Sequence, residues 1–235
     1  MIDVRLNYHR TFSANKKGQD FFVGDIHGHY DLLMQTLASL GFNSDNGDRL
    51  FSVGDIINRG PDSQKCIELL LKPWFFAVLG NHEELLLSII NNQDQNILDT
   101  LQKIGGGWVS DLLHSDIRKL NLLISIVYAR MFLAFTVKTS QGNIGVIHAN
   151  APDNWKKVTQ RLLSKDDQHD CVWSAKRYYS QAAVPVKNID AIVSGHINCL
   201  NIKSYGNHVW IDTLRSSEKL TVLSAEQVFK AVNNG

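Results

Sequence analysis

Short apolar runs recur along the chain, and each gives way abruptly to a turn carrying a polar side chain able to bind a metal. They are Phe21–Val23 before Gly24 and Asp25, Leu50–Val53 before Gly54 and Asp55, and Trp74–Leu79 before Gly80 and Asn81. Ile144–Ile147 precedes His148, and Ile189–Ser194 precedes Gly195 and His196. Such runs, rich in Val, Ile and Phe and closed by Gly, predict buried strands. Helical spacing lies between the first three: Tyr30, Leu33, Leu37 and Leu40 share a face and Gly41 supplies a stop, while Ser63 can cap a run through Cys66, Ile67, Leu69 and Leu70. Tyr205–Asp212 and Lys219–Leu223 read as further strands. Strand, polar turn and helix in alternation predict an α/β fold, a sheet-rich core flanked by helices with polar groups at the carboxyl ends of strands. Without an internal repeat or a linker-like shift of composition, residues 1–235 are expected to form one domain.

Composition narrows the function. Twenty-four Lys and Arg against 23 Asp and Glu leave a formal charge of +1 with no block of like charge, so neither nucleic acid nor a membrane surface is an expected partner. Cys66, Cys171 and Cys199 never pair as C-x-x-C and read as intracellular thiols. Met1–Phe12 mixes charges with single apolar residues and holds no signal-peptide core, and the most membrane-like stretch, Leu122–Phe135, is interrupted by Arg130. A cytoplasmic protein is expected; the oligomeric state is not legible.

The strand-end side chains form the candidate chemistry: Asp25, His27, Asp55, Asn81, His82, His148 and His196. Asp-x-His would place two ligands on one side of an extended segment. Imidazoles, carboxylates and an amide oxygen without thiolate suit Mn²⁺, Fe or Zn²⁺. A carboxylate such as Asp55 can bridge two cations, and water held between them becomes a nucleophile near neutral pH, so metal-assisted hydrolysis of a phosphate ester is the expected reaction. Arg59, in the turn Asn58-Arg59-Gly60-Pro61, offers a planar fork for phosphoryl oxygens.

The ordered segments Gly24-Asp25-Ile26-His27-Gly28, Gly54-Asp55-Ile56-Ile57-Asn58-Arg59-Gly60, Gly80-Asn81-His82-Glu83, His148 and Gly195-His196 resemble the calcineurin-like metallophosphoesterases, and in particular the small bacterial and bacteriophage protein serine/threonine phosphatases. The likeness runs from about Asp20 to Leu223 and includes Gly105-Gly106-Gly107-Trp108, Val172-Trp173 and Ile211-Asp212-Thr213. It implies two packed β-sheets flanked by helices, a four-layer sandwich, and two divalent ions, with Mn²⁺ the first expectation. It implies that Asp25, His27 and Asp55 hold one metal and that Asp55, Asn81, His148 and His196 hold the second. His82 would protonate the leaving group, Arg59 would grip the phosphoryl group, and hydroxide held by the metals would attack a phosphorylated protein or a small phosphoester.

Four positions depart from the phosphatase pattern. Asn58 stands where an Asp usually accepts a hydrogen bond from the acid histidine, which should weaken His82 as an acid. Leu79 and Ala175 stand where arginines are usual, and Leu214-Arg215 replaces Gly-Ala. Lys176, Arg177 and Arg215 are the possible substitutes, with Arg177 expected to bind substrate. Slow Mn²⁺-dependent phosphatase activity is therefore expected. Symmetrical diadenosine tetraphosphatases also carry Leu before Gly-Asn-His and lack that Asp, so a nucleotide hydrolase is one alternative; a weakened phosphatase fold serving as a binding module is another. His9, His29, His114, His169 and His208 are read as ordinary structural histidines, and Asn43–Asp48 as a helix-to-strand turn.

Overall fold

The computed structural model describes residues 7–89 and 95–233. The first half of Met1–Phe12, and residues 90–94 and 234–235 of the expected 1–235 domain, lie outside the described residues. The strands are β1 (Asn7–Phe12), β2 (Asp20–Val23), β3 (Arg49–Ser52), β4 (Phe75–Ala77), β5 (Phe132–Lys138), β6 (Asn143–Ile147), β7 (Ala191–Ser194), β8 (Lys203–Tyr205), β9 (His208–Trp210) and β10 (Val222–Ser224). The helices are α1 (Tyr30–Ser39), α2 (Ser63–Leu69), α3 (Asn81–Ser88), α4 (Gln95–Lys103), α5 (Gly107–Ser115), α6 (Ile117–Arg130), α7 (Lys156–Thr159), α8 (Lys165–Trp173), α9 (Lys176–Tyr179), α10 (Leu214–Ser217) and α11 (Ala225–Asn233).

Two sheets form, in the orders β10-β2-β3-β4 and β1-β5-β6-β7-β9-β8. The runs read as strands are apolar throughout because both faces of each strand are covered. On β2, Phe21 and Val23 point to a helix-covered core containing Leu33, Ile67, Leu86 and Val127, while Phe22 points to the space between the sheets. On β3, Leu50 and Phe51 divide in the same way. Between the sheets Phe12 meets Phe51 edge-on at 4.9 Å and Phe135 at 5.2 Å between ring centroids, a geometry that aromatic quadrupoles favour. Trp155, Ala134, Ile147 and Cys171 fill a third core on the far side of the six-stranded sheet. The expected sandwich of two sheets flanked by helices is the observed architecture.

Several local expectations change. Leu122–Phe135 divides into the end of α6 and the start of β5, and no helix among the described residues is long and apolar enough to cross a membrane. Ser63 does not cap α2 with its side chain; its hydroxyl accepts a 2.8 Å hydrogen bond from the Asn58 N–H. Asn43–Asp48 is the expected turn, a single 3-10 turn closed by Gly47 at φ 90°.

Candidate active site

The parallel strands β2, β3 and β4 deliver Asp25, Asp55 and Asn81 to one rim, and the ends of β6 and β7 deliver His148 and His196 from the other sheet. The site therefore straddles the seam between the sheets. His27 (φ 45°), Asp55 (47°), Asn58 (70°), Arg59 (69°) and His196 (65°) all hold left-handed backbone, a concentration of strain where the structure must turn side chains inward. This corrects the extended Asp-x-His reading: His27 reaches the side of Asp25 by a tight turn, in which the Ile26 and His27 N–H groups donate to the Asp55 carbonyl at 3.1 and 2.9 Å. Gly54, at φ 101°, has no room for a Cβ, which would stand 2.8 Å from the Gly80 N and from His148 Nδ1.

Backbone carbonyls set the histidines' outer nitrogens. The Ile57 carbonyl lies 3.1 Å from His27 Nδ1, Val53 O lies 2.8 Å from His148 Nδ1, and Trp173 O lies 3.0 Å from His196 Nε2. A carbonyl only accepts, so each of those nitrogens carries the proton and the other presents its lone pair inward. Those lone pairs meet oxygens. Asn81 Oδ1 is 3.0 Å from both His148 Nε2 and His196 Nδ1, and Asp55 Oδ1 is 3.5 Å from His148 Nε2. His27 Nε2 lies 3.9 Å from both Asp25 Oδ2 and Asp55 Oδ2. Acceptors gathered face to face are unfavourable unless a cation sits among them, and the mixed nitrogen and oxygen donors suit a divalent ion. Two trios come close enough to share one ion, Asp25/Asp55/His148 and His27/Asp55/His82, and Asp55 belongs to both.

Protonation follows the same logic. Burial pushes the pKa of His148 down to about 4. Burial and the neighbouring His148 do the same for His196, also to about 4, and burial and the Arg59 charge hold His27 well below its ordinary value. All three stand neutral, as metal ligation requires. Burial pushes Asp55 up to about 7 and raises Asp25, whose neighbours Asp212 and Asp55 add like charge. Backbone N–H groups aim these carboxylates: His82 N–H donates to Asp55 Oδ1 at 3.1 Å and His196 N–H to Asp25 Oδ2 at 3.0 Å.

His82 sits beside this cluster, its Nε2 3.7 Å from Asp55 Oδ2. Asn58 does touch it, with Nδ2 3.0 Å from His82 Nδ1. The orientation of that amide is fixed elsewhere, because the Trp108 indole N–H, which can only donate, points at Asn58 Oδ1 at 2.9 Å. The amide NH₂ therefore faces His82 Nδ1, and the neutral ring carries its proton on Nε2, toward the pocket. Burial, followed by the Arg59 charge, pushes the His82 pKa down to about 3. Arg59 reaches over the pocket from its rim, with Nη1 2.9 Å from His27 Nε2 and Nη2 3.4 Å from His82 Nε2. The glycine turn after α4 serves both as a joint between helices and as a close approach: Gly105 accepts the Arg59 N–H at 3.2 Å, and a Cβ there would stand 2.6 Å from Arg59 N.

Arg177 is not brought into this cluster, contrary to its expected role. Its Nη2 donates to the Val184 carbonyl at 2.7 Å and its charge acts on His208. Lys176 pairs with Asp170 at 2.8 Å.

Two residues to which sequence reasoning gave no role complete the site. Glu83, fully buried, accepts from the N–H groups of Asp55, Ile56, Ile57 and Gly80 at 2.9–3.2 Å, tying the Asp55 turn to the start of α3. A Glu at the third position of a helix that opens on Gly80 is a readable signal. Asp212 lies against Asp25, with its Oδ1 buried and unpartnered. Burial raises it to about 6, against the pull of Arg59.

Comparison with known proteins finds relatives over most of the chain. A family model described as calcineurin-like phosphoesterase matches residues 21–200. Serine/threonine-protein phosphatase 2 of Salmonella typhimurium is 32% identical over 194 residues, covering 81% of this chain and 85% of that protein. A symmetrical bis(5'-nucleosyl)-tetraphosphatase of Wigglesworthia glossinidia brevipalpis is 31% identical over 164 residues, covering 65% of this chain and 60% of that protein. Among solved structures, a protein provisionally named a diadenosine tetraphosphatase superposes with a TM-score of 0.60 at 19% identity, covering 94% of this chain and 95% of its own.

Proposed function

The chain belongs to the calcineurin-like phosphoesterase family, whose members are metal-dependent phosphoester hydrolases, and within it we propose a protein serine/threonine phosphatase acting in the cytoplasm as a single domain. The observation that carries this reading is the convergence of uncompensated lone pairs from His148 Nε2, His196 Nδ1 and Asn81 Oδ1 beside the Asp55 carboxylate. Asp25, His27 and Asp55 would hold one divalent ion, and Asp55, Asn81, His148 and His196 the other; the oxygen and nitrogen set suits Mn²⁺, Fe or Zn²⁺, and the family resemblance puts Mn²⁺ first among them. Such ions, when bound, acidify water and neutralise phosphoryl charge.

The chain's own groups do the rest. Arg59 overhangs the pocket and supplies a bidentate fork to phosphoryl oxygens. His82 presents Nε2–H toward the leaving oxygen, held there through Asn58 by Trp108. Since Asn58 turns an NH₂ group toward Nδ1, the imidazolium form is disfavoured and His82 serves as a hydrogen-bond donor and a weak acid. Turnover should therefore be slow with poor leaving groups.

Asn58 and Leu79, together with the 31% identical tetraphosphatase, favour dinucleoside polyphosphate hydrolysis as the second reading. Phosphate release from a phosphothreonine peptide and from diadenosine tetraphosphate, each with Mn²⁺, tests both, with Asp55→Asn as the inactive reference. Hydrolysis of the dinucleotide alone selects the second reading. Tight peptide binding by the metal-loaded protein with neither substrate turned over leaves only the binding-module alternative.

A further inference from the structure

We infer that Arg215, on the α10 turn that follows Asp212, is the second cationic group for the substrate's phosphoryl oxygens, acting beside Arg59. This deepens the phosphatase reading and rests on it. The site has one overhanging arginine where a dianionic phosphoryl group calls for more, since Leu79 is wholly buried in the core and Ala175 carries no charge. Of the three cationic residues able to substitute, two are committed elsewhere: Arg177 to the Val184 carbonyl and Lys176 to Asp170. Arg215 alone of the three is both exposed and without a hydrogen bond or ion pair among the described residues.

Its anchorage is firm although its side chain is free. The Asp212 carbonyl accepts from the Cys199 N–H at 2.7 Å, and the Asp212 carboxyl lies against Asp25. Thr213 Oγ1 donates to the Lys219 carbonyl at 2.8 Å, and Ser217 Oγ donates to the Thr213 carbonyl at 2.8 Å, so α10 is closed on itself. This turn sets Arg215 three residues beyond a carboxylate that touches a candidate metal ligand. The Arg215 charge is accordingly felt by Arg59, more than that of any other charged group, and by Asp212 and His82. Two guanidinium groups whose charges repel each other are reconciled by an anion between them, and a phosphoryl group offers enough non-bridging oxygens for both.

The test is calorimetric titration of inorganic phosphate into the Mn²⁺-loaded protein, which reads binding without requiring turnover. Loss of one exposed charge-assisted contact should weaken phosphate about tenfold in Arg215→Ala, with partial recovery in Arg215→Lys and no change in Lys176→Ala. The KM for a phosphopeptide should rise in parallel while kcat falls less. Phosphate affinity in Arg215→Ala within about twofold of the parent overturns the inference. So does a loss confined to pyrophosphate, because Arg215 would then serve an anion on the leaving-group side. Failure of the parent protein to hydrolyse any phosphoester would sink the phosphatase reading and still leave this binding result to be read.

Discussion

Replacing Asn58 by Asp should change how well His82 supports the leaving group. In the present structure the amide gives its oxygen to Trp108 at 2.9 Å and its NH₂ to His82 Nδ1 at 3.0 Å. A carboxylate would keep the first contact and turn the second into an acceptor for Nδ1–H, stabilising imidazolium. At 3.0 Å and an effective dielectric of about 20, the attraction is about 5 kcal/mol as an upper bound. Position 58 is fully buried, so desolvation of the new charge takes back much of that, and a rise of about 2 pKa units from about 3 is the expected net effect. Near pH 7 the protonated fraction then grows about a hundredfold, and with proton transfer only partial in the transition state the rate gains about tenfold. The assay is kcat on phenyl phosphate and on p-nitrophenyl phosphate with Mn²⁺. Phenolate needs the proton and p-nitrophenolate hardly does, so the gain should appear on the first substrate and be slight on the second. Equal responses on the two, or no gain on phenyl phosphate with metal bound, would refute His82 as the proton donor.

Other perturbations read other parts of the site. Glu83→Gln replaces one acceptor oxygen with a donor facing backbone N–H groups, and should cost about 2–4 kcal/mol in denaturant unfolding, with a weakened Asp55 turn. Gly105→Ala places a Cβ against Arg59 at φ 82°; KM for a phosphosubstrate should rise severalfold while Mn²⁺ affinity, measured by calorimetry, stays unchanged. Mn²⁺ uptake should release more protons near pH 6 than near pH 8, measured from its enthalpy in buffers of different ionisation heat. The sign follows because Asp55, raised to about 7, still holds its proton at the lower pH, whereas His148 and His196, lowered to about 4, have already lost theirs. Equal release at both would refute that assignment.

What the sequence discloses depends on how far apart the partners of an interaction lie. Asp25, Asp55, Asn81, His148 and His196 are legible because each directly follows an apolar run, and the end of a buried strand is where a polar side chain can gather with others. The two-sheet fold is legible for the same reason: strands covered on both faces, such as β2 and β3, read as unbroken apolar runs. By contrast, β1 mixes charges with apolar residues because it is an edge strand with only part of one face covered, and no run marks it. Asn58 and Trp108 meet across 50 positions, and Asp25 and Asp212 only when the end of β9 packs against that of β2. Nor could spacing separate Arg177 from Arg215; what separates them is a carbonyl at Val184, supplied by a loop.

Since Asp25, His27, Asp55 and Asn81 hang from one sheet and His148 and His196 from the other, any cation seated there works as a rivet through two plates. Prising the plates apart must first release it, and withdrawing it unfastens them. The protein's tolerance of heat should then track the metal supply of its surroundings as closely as its turnover does.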